Sequence, residues 1–225
     1  MFIGAFFWAL YVALEPYVRR RWPESMIAWS RLLVGGVRNP MVGAHVLIGV
    51  AFGVAYTLLF SLRSLRTYGE AASVDLDTVA DVPRMLGFFA AALSDSVGFS
   101  MGLFFLFFLV RAVLRRPWVS AVVFILFFTS VQIAFSPDPV LEGTIALVQF
   151  GLAIFILTRF GVLPMIVCTF VSYLLPSFPL TTDFSTWYAG STLFALWTVL
   201  ALTAYGFATA GAGRQLFKPG LLDAA

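Results

Sequence analysis

The chain has 225 residues, of which 61% are hydrophobic and 11% are charged, and its mean hydropathy is +0.96. Soluble domains contain about 45–50% apolar and about 25% charged residues, so this composition excludes an ordinary soluble domain and predicts an all-α, polytopic membrane bundle. One cysteine and one histidine exclude an intramolecular disulfide, a multi-cysteine metal site and a paired-histidine haem site. The net charge of +3 resides at the ends of apolar segments instead of on one solvated face, so we expect no nucleic-acid partner.

The lengths of the apolar segments predict the number of membrane crossings. A spanning helix needs about 20 residues, because the hydrocarbon layer is about 30 Å thick and a helix rises about 1.5 Å per residue. Seven segments approach that length, and we predict that they form one helical membrane domain over residues 1–225. In chain order they are Met1–Val18, Met41–Ser61, Leu86–Val110, Trp118–Phe135, Val140–Thr158, Phe160–Leu175 and Trp187–Gly211. The sixth is short and contains Pro164, so six crossings remain the alternative.

A basic collar follows the first predicted span. It consists of Arg19, Arg20, Arg21, Trp22, Arg31 and Arg38. Trp22 is typical of the depth at which lipid headgroups begin. Over residues 24–38 the apolar side chains fall on one face of a helix, and Arg31 and Arg38 fall on the other. This pattern predicts one interfacial amphipathic helix that lies along the membrane.

The distribution of charge predicts the orientation of the bundle. Most arginines lie in the loops after the first, third and fifth spans and after the last one, whereas most carboxylates lie in the intervening loops. The longest of these intervening segments is a predicted outside loop over residues 62–84. Basic residues of short loops stay on the cytoplasmic side, so we expect the N-terminus outside and the tail of residues 212–225 in the cytoplasm. A first span without a basic region before it is unusual, and we therefore expect the chain to be a piece of a longer protein.

Asp95 is the acidic residue that lies deepest in a predicted span, about 15 Å from the outer end of the third segment. Three further polar residues lie near the same depth: Gln149, Thr169 and Thr198. Because a charge at this depth costs several kcal/mol, these residues form a candidate intramembrane polar site. Two interpretations stay open for Asp95. Either it lines a proton or substrate path, or it joins neighbouring helices with the help of Ser94 and Ser96.

Other motifs predict packing instead of catalysis. Residues 98–102 match the GxSxG pattern of serine hydrolases, but that nucleophile needs a strand-to-helix turn and these residues lie inside an apolar helix. The same residues, and Gly49 to Gly53, match the GxxxG pattern that lets helices approach closely, which predicts helix packing or a homo-oligomer. His45 is expected near the headgroups, hydrogen-bonded to a loop. No span contains a lysine for a retinal Schiff base and no HExxH motif occurs, so we predict no catalytic residue, cofactor or metal.

A resemblance to a known family lies in two stretches: ALEPYVRRRWPESMIAWSRLLVGGVRNPMVGAHVLIG (residues 13–49) and FPLTTDFSTWYAGSTLFALWTVLALTAYGF (residues 178–207). They resemble the multi-span membrane region that follows the kinase domain in certain bacterial, notably acidobacterial, serine/threonine protein kinases, and residues 107–128 fit the same pattern. The resemblance implies a bacterial inner membrane and a cytoplasmic kinase domain ahead of this region. This chain lacks the kinase domain, so no catalytic residue is carried over to it.

Three functions therefore compete at this stage. The first is a non-enzymatic integral membrane module, which serves as a sensor, an anchor or an assembly region for a cytoplasmic kinase or another signalling domain. The alternative is a small-solute or proton transporter or channel that uses Asp95. A third, an intramembrane hydrolase that uses Ser100, would require labelling of that serine by a fluorophosphonate probe.

Overall fold

The computed structural model describes residues 27–68, 81–134, 136, 138–178 and 189–211. Every regular element among them is a helix, which confirms the predicted all-α membrane bundle. The helices are α1 (Ile27–Leu33), α2 (Pro40–Tyr68), α3 (Val82–Leu114), α4 (Pro117–Ala134), α5 (Pro139–Arg159), α6 (Val162–Ser177) and α7 (Ala189–Gly211). The first predicted span, the collar residues Arg19 to Trp22 and the tail of residues 212–225 lie outside the described residues.

Five of the described helices are long and apolar enough to cross a membrane, namely α2, α3, α4, α5 and α7. Two of them extend into the segment that was predicted to be an outside loop over residues 62–84. Helix α2 continues to Tyr68, and α3 already begins at Val82. The start of α3 has a clear local cause, because the Asp81 side chain accepts a hydrogen bond from the Arg84 backbone N–H at 2.8 Å and Pro83 occupies the first turn.

Helix α1 ends at Leu33, before residue 38, where the predicted interfacial helix over residues 24–38 ends. It ends at Leu33 because Gly35 adopts a φ of 87°, a left-handed conformation that glycine tolerates without strain. The backbone N–H of Gly36 then donates to the Arg31 carbonyl at 2.8 Å. Ala28 is buried against Val42 of α2 and Leu163 of α6, whereas Leu33 is exposed, so α1 packs against one end of the bundle through Ala28.

Helix α6, the shortest of the predicted spans, is the centre of the bundle. Every residue from Gly161 to Val171 is buried, and α6 packs against α2, α3, α5 and α7. A helix that is apolar on all sides is stable where other helices surround it. Pro164 does not interrupt α6, because it lies in the first turn, where backbone N–H groups have no partner within the helix.

Helices α2 and α6 run parallel and in close contact. A methyl group added at Gly49 would lie 2.6 Å from Val167 Cβ, and one added at Gly53 would lie 2.7 Å from Val171 Cβ. Small residues four apart therefore let the two backbones approach, as the GxxxG pattern predicts. Because Gly49 and Gly53 face α6 of the same chain, they are not free to pair with a second copy.

The other helices alternate in direction around this pair. Helix α7 is antiparallel to α2, since Gly206 lies beside Gly43. Helix α3 is antiparallel to α6, since the Phe88 ring contacts the Phe178 ring. Helices α4 and α5 form an antiparallel pair in which Gly143 lies against Ile133 near the turn between them.

These directions give the bundle two ends with different charge. The basic end carries Arg31, Arg38, Arg111, Arg115, Arg116 and Arg159. The acidic end carries Asp81, Asp138 and Glu142, together with Arg63 and Arg84. In the part of the chain that the structure describes, no carboxylate lies at the basic end.

Candidate functional site

The structure places the four predicted polar residues on four different helices. Asp95 is exposed on α3, Gln149 is buried on α5, Thr169 is buried on α6 and Thr198 is half-buried on α7. None of the four hydrogen-bonds to another of the four. The Thr198 hydroxyl instead donates to the Phe194 carbonyl of its own helix. The described residues therefore do not assemble these side chains into one site.

Asp95 occupies the outer surface of the bundle and not its interior. It lies on the side of α3 that faces away from the buried residues Ser96 and Ser100. Asp95 interacts electrostatically with Tyr173 of α6, which is itself 37% exposed. A path through the centre of the bundle would not pass Asp95 in this arrangement.

A polar contact between two helices in the described core is formed by Ser100 and Thr169. Their hydroxyl oxygens are 3.2 Å apart, and both residues are buried. The Thr169 hydroxyl also reaches the Met165 carbonyl at 2.9 Å. Ser100 lies inside helix α3, so the strand-to-helix turn of a serine hydrolase is not formed at residues 98–102. Its hydroxyl serves to join α3 to α6.

Replacing Ser100 by alanine should lower the free energy of unfolding by about 0.6 to 1.7 kcal/mol, the range for hydrogen bonds between membrane helices. The loss stays small because Thr169 keeps its bond to the Met165 carbonyl. Unfolding in mixed detergent micelles measures it. Ser130→Ala is the control, since its hydroxyl is exposed and bonds within its own helix. Equal losses for the two variants would contradict the role assigned to Ser100.

An ion pair at the acidic end is the buried charge that the sequence did not reveal. Arg63 Nε of α2 lies 2.6 Å from Glu142 Oε1 of α5, and the two side chains are 27% and 3% exposed. Glu142 lies in the first turn of α5, where the positive end of the helix dipole favours a carboxylate. The Asp138 side chain caps the same turn by accepting from the Leu141 backbone N–H at 3.2 Å. Glu142 thus fixes the start of α5 to the outer end of α2.

The basic end is held together by contacts between α1, α2 and α7. The Asn39 side chain accepts the Met41 backbone N–H at 3.0 Å and so caps α2. The Tyr205 hydroxyl of α7 donates to the Val37 carbonyl, in the turn between α1 and α2. His45 Nδ1 is buried and has no hydrogen-bond partner, so the expected bond to a loop is not formed at that atom.

The geometry thus combines a largely apolar, glycine-packed centre with two ends of opposite character. Among the described residues, the basic end is the feature that distinguishes this arrangement. No family model, curated protein or solved structure matches the chain.

Proposed function

We propose that the chain is a non-enzymatic integral membrane module that holds a serine/threonine kinase, or another soluble signalling domain, at the cytoplasmic face of a bacterial inner membrane. The observation that carries the proposal is the basic end. Five exposed arginines lie there, two in α1 and the turn after it, two in the turn after α3 and one at the end of α5, and no described carboxylate lies at that end. Such a bias favours a cytoplasmic location for that end.

The interior supports a packed module over an enzyme or a transporter. The hydrophobic clusters around α6 consist of aliphatic and aromatic side chains, and Ser100 and Thr169 form a polar contact between two helices there. The polar candidates of the sequence lie on separate helices, and Asp95 is on the outer surface. Transport would need polar groups that line a common path.

The two described turns that join spans at the basic end are too short to form a signalling domain. Arg115 and Arg116 form the whole connection from α3 to α4, and Phe160 and Gly161 connect α5 to α6. Helix α1 adds an exposed surface in which Leu33 and Val34 accompany the charged Arg31. A mixed apolar and cationic surface of this kind suits a soluble protein partner with an acidic patch.

A co-purification assay tests this function. The tagged chain is purified from the membranes of its native host in neutral detergent, and phosphotransfer from labelled ATP to serine and threonine is measured. We expect kinase activity to co-purify with the wild type and with Arg84→Glu, a charge reversal at the acidic end. The co-purifying activity should be about tenfold lower with the double variant Arg31→Glu/Arg38→Glu, because charges at the rim of an interface control the rate of association.

Two outcomes would overturn the proposal. One is recovery of the intact chain with lipid alone, without serine/threonine kinase activity and without any other soluble signalling protein, in every preparation. The other is equal recovery of activity with the double variant and with Arg84→Glu, which would show that the basic end does not hold the partner.

A further inference from the structure

The connection between α3 and α4 has an unusual backbone. Arg115 adopts a φ of 57°, the left-handed conformation that glycine normally supplies at the end of a helix. Among the described residues it is the one residue other than glycine with a positive φ. Its backbone N–H closes α3 by donating to the Arg111 carbonyl at 3.0 Å. Glycine would form this turn with less strain, so the turn itself does not call for an arginine side chain.

The neighbouring residues place this turn at the level of the lipid headgroups. Arg115 and Arg116 are both exposed, and Trp118, two residues further on, is 65% exposed. Exposed tryptophans at the ends of spans belong at the headgroup level. Because α3 ends and α4 begins at this turn, the two guanidinium groups emerge at the depth of lipid phosphates.

A third cation lies at the same level on the neighbouring helix. Arg159 ends α5, which packs antiparallel to α4, so it lies beside the start of α4. Like charges gathered at one level repel one another, and no described carboxylate at this end offsets them. Guanidinium groups bind phosphate oxygens with two parallel hydrogen bonds, and the cytoplasmic leaflet supplies anionic phosphates.

We propose that Arg115 and Arg116 form a binding site for the phosphate of an anionic phospholipid, with Arg159 adding to its positive potential. The site requires the basic end at the headgroups, but it does not require a kinase partner. The bound lipid would neutralise the cations at the turn between α3 and α4.

Lipid-dependent thermal stability of the purified 225-residue chain tests this site. The wild type in neutral detergent is supplemented with phosphatidylglycerol, with phosphatidylcholine or with soluble glycerol phosphate. We expect phosphatidylglycerol to raise the melting temperature and to remain attached in native mass spectrometry. Phosphatidylcholine and glycerol phosphate should do neither, since the zwitterionic lipid has no net charge and the free phosphate lacks acyl chains.

Two variants and a control sharpen the test. Arg115→Gly and Arg116→Gln should each weaken phosphatidylglycerol binding by about fivefold, whereas Arg84→Gln at the acidic end should not. Arg115→Gly is also expected to melt no lower than the wild type in phosphatidylcholine, because glycine relieves the left-handed turn. If these variants lose lipid binding but keep the melting temperature of the wild type in phosphatidylcholine, the arginine side chains bind lipid and are not needed for folding.

The proposal is overturned if phosphatidylglycerol binds both arginine variants as tightly as the wild type. It is also overturned if glycerol phosphate raises the melting temperature as much as the lipid does, since the site would then bind soluble phosphate. A failure of kinase co-purification would leave both of these measurements unchanged, so the two proposals fail separately.

Discussion

Replacing Gly53 by leucine should prevent the chain from folding into a stable bundle. Even the methyl group of alanine would lie 2.7 Å from Val171 Cβ and 2.9 Å from the Cys168 carbonyl oxygen, and neither atom is the end of a flexible side chain. We expect Gly53→Ala to cost about 1 to 3 kcal/mol, the usual range for overpacking, and Gly53→Leu to cost more. Size-exclusion chromatography and thermal unfolding in detergent measure the folded fraction.

The control for this substitution is Gly151→Leu on α5. A methyl group at Gly151 would meet nothing within 4 Å, so leucine at that position should change the unfolding free energy by less than about 0.5 kcal/mol. Gly49→Leu should behave like Gly53→Leu, since its added carbon would lie 2.8 Å from the Pro164 carbonyl oxygen. Normal folding of Gly53→Leu would show that α2 and α6 do not pack at this distance.

Breaking the ion pair of Arg63 and Glu142 should be the second large effect, and the two partners should differ. Arg63→Met leaves the carboxylate of Glu142, which is 3% exposed, without its cation, and we expect a loss of about 3 to 5 kcal/mol. Glu142→Leu should cost less, about 2 kcal/mol, because Arg63 is 27% exposed and its guanidinium can reach water at the headgroups.

A double-mutant cycle measures the pair directly. The double variant Arg63→Met/Glu142→Leu should recover most of the loss, because two apolar residues replace two charges and leave neither unpaired. The exposed pair of Asp81 and Arg84, at 3.4 Å, is the control and should couple by less than about 1 kcal/mol. Additive losses for Arg63→Met and Glu142→Leu would mean that the two side chains do not interact.

The spans could be predicted from the sequence because the thickness of a bilayer sets their length. Five helices match predicted segments for that reason. The sequence indicated α6 as the weakest span because it is short. Length is a criterion for helices that cross the bilayer in contact with lipid, whereas α6 is enclosed by other helices. The extension of α2 beyond residue 61 also escaped prediction. In the sequence alone, Arg63 is typical of a loop residue, because its ion-pair partner Glu142 lies 79 positions later.

The candidate site was harder to predict, because the depth of a residue in the membrane does not determine whether its side chain faces the core or the lipid. Counting residues along α3 gives the depth of Asp95. However, apolar side chains occupy every face of that helix. The sequence pattern therefore does not specify which face of α3 packs inward. Packing turns Asp95 outward and turns Glu142 inward, so the buried carboxylate differs from the one that depth alone suggested.

The orientation of the bundle is the claim on which both proposals rest, and cysteine accessibility tests it most directly. Arg116→Cys places a thiol at the basic end and Asp138→Cys places one at the acidic end, while the native Cys168 is buried and serves as the unlabelled background. In spheroplasts, a membrane-impermeant maleimide should label Asp138→Cys at once and should label Arg116→Cys only after permeabilisation. Labelling of Arg116→Cys in sealed spheroplasts would contradict a cytoplasmic basic end.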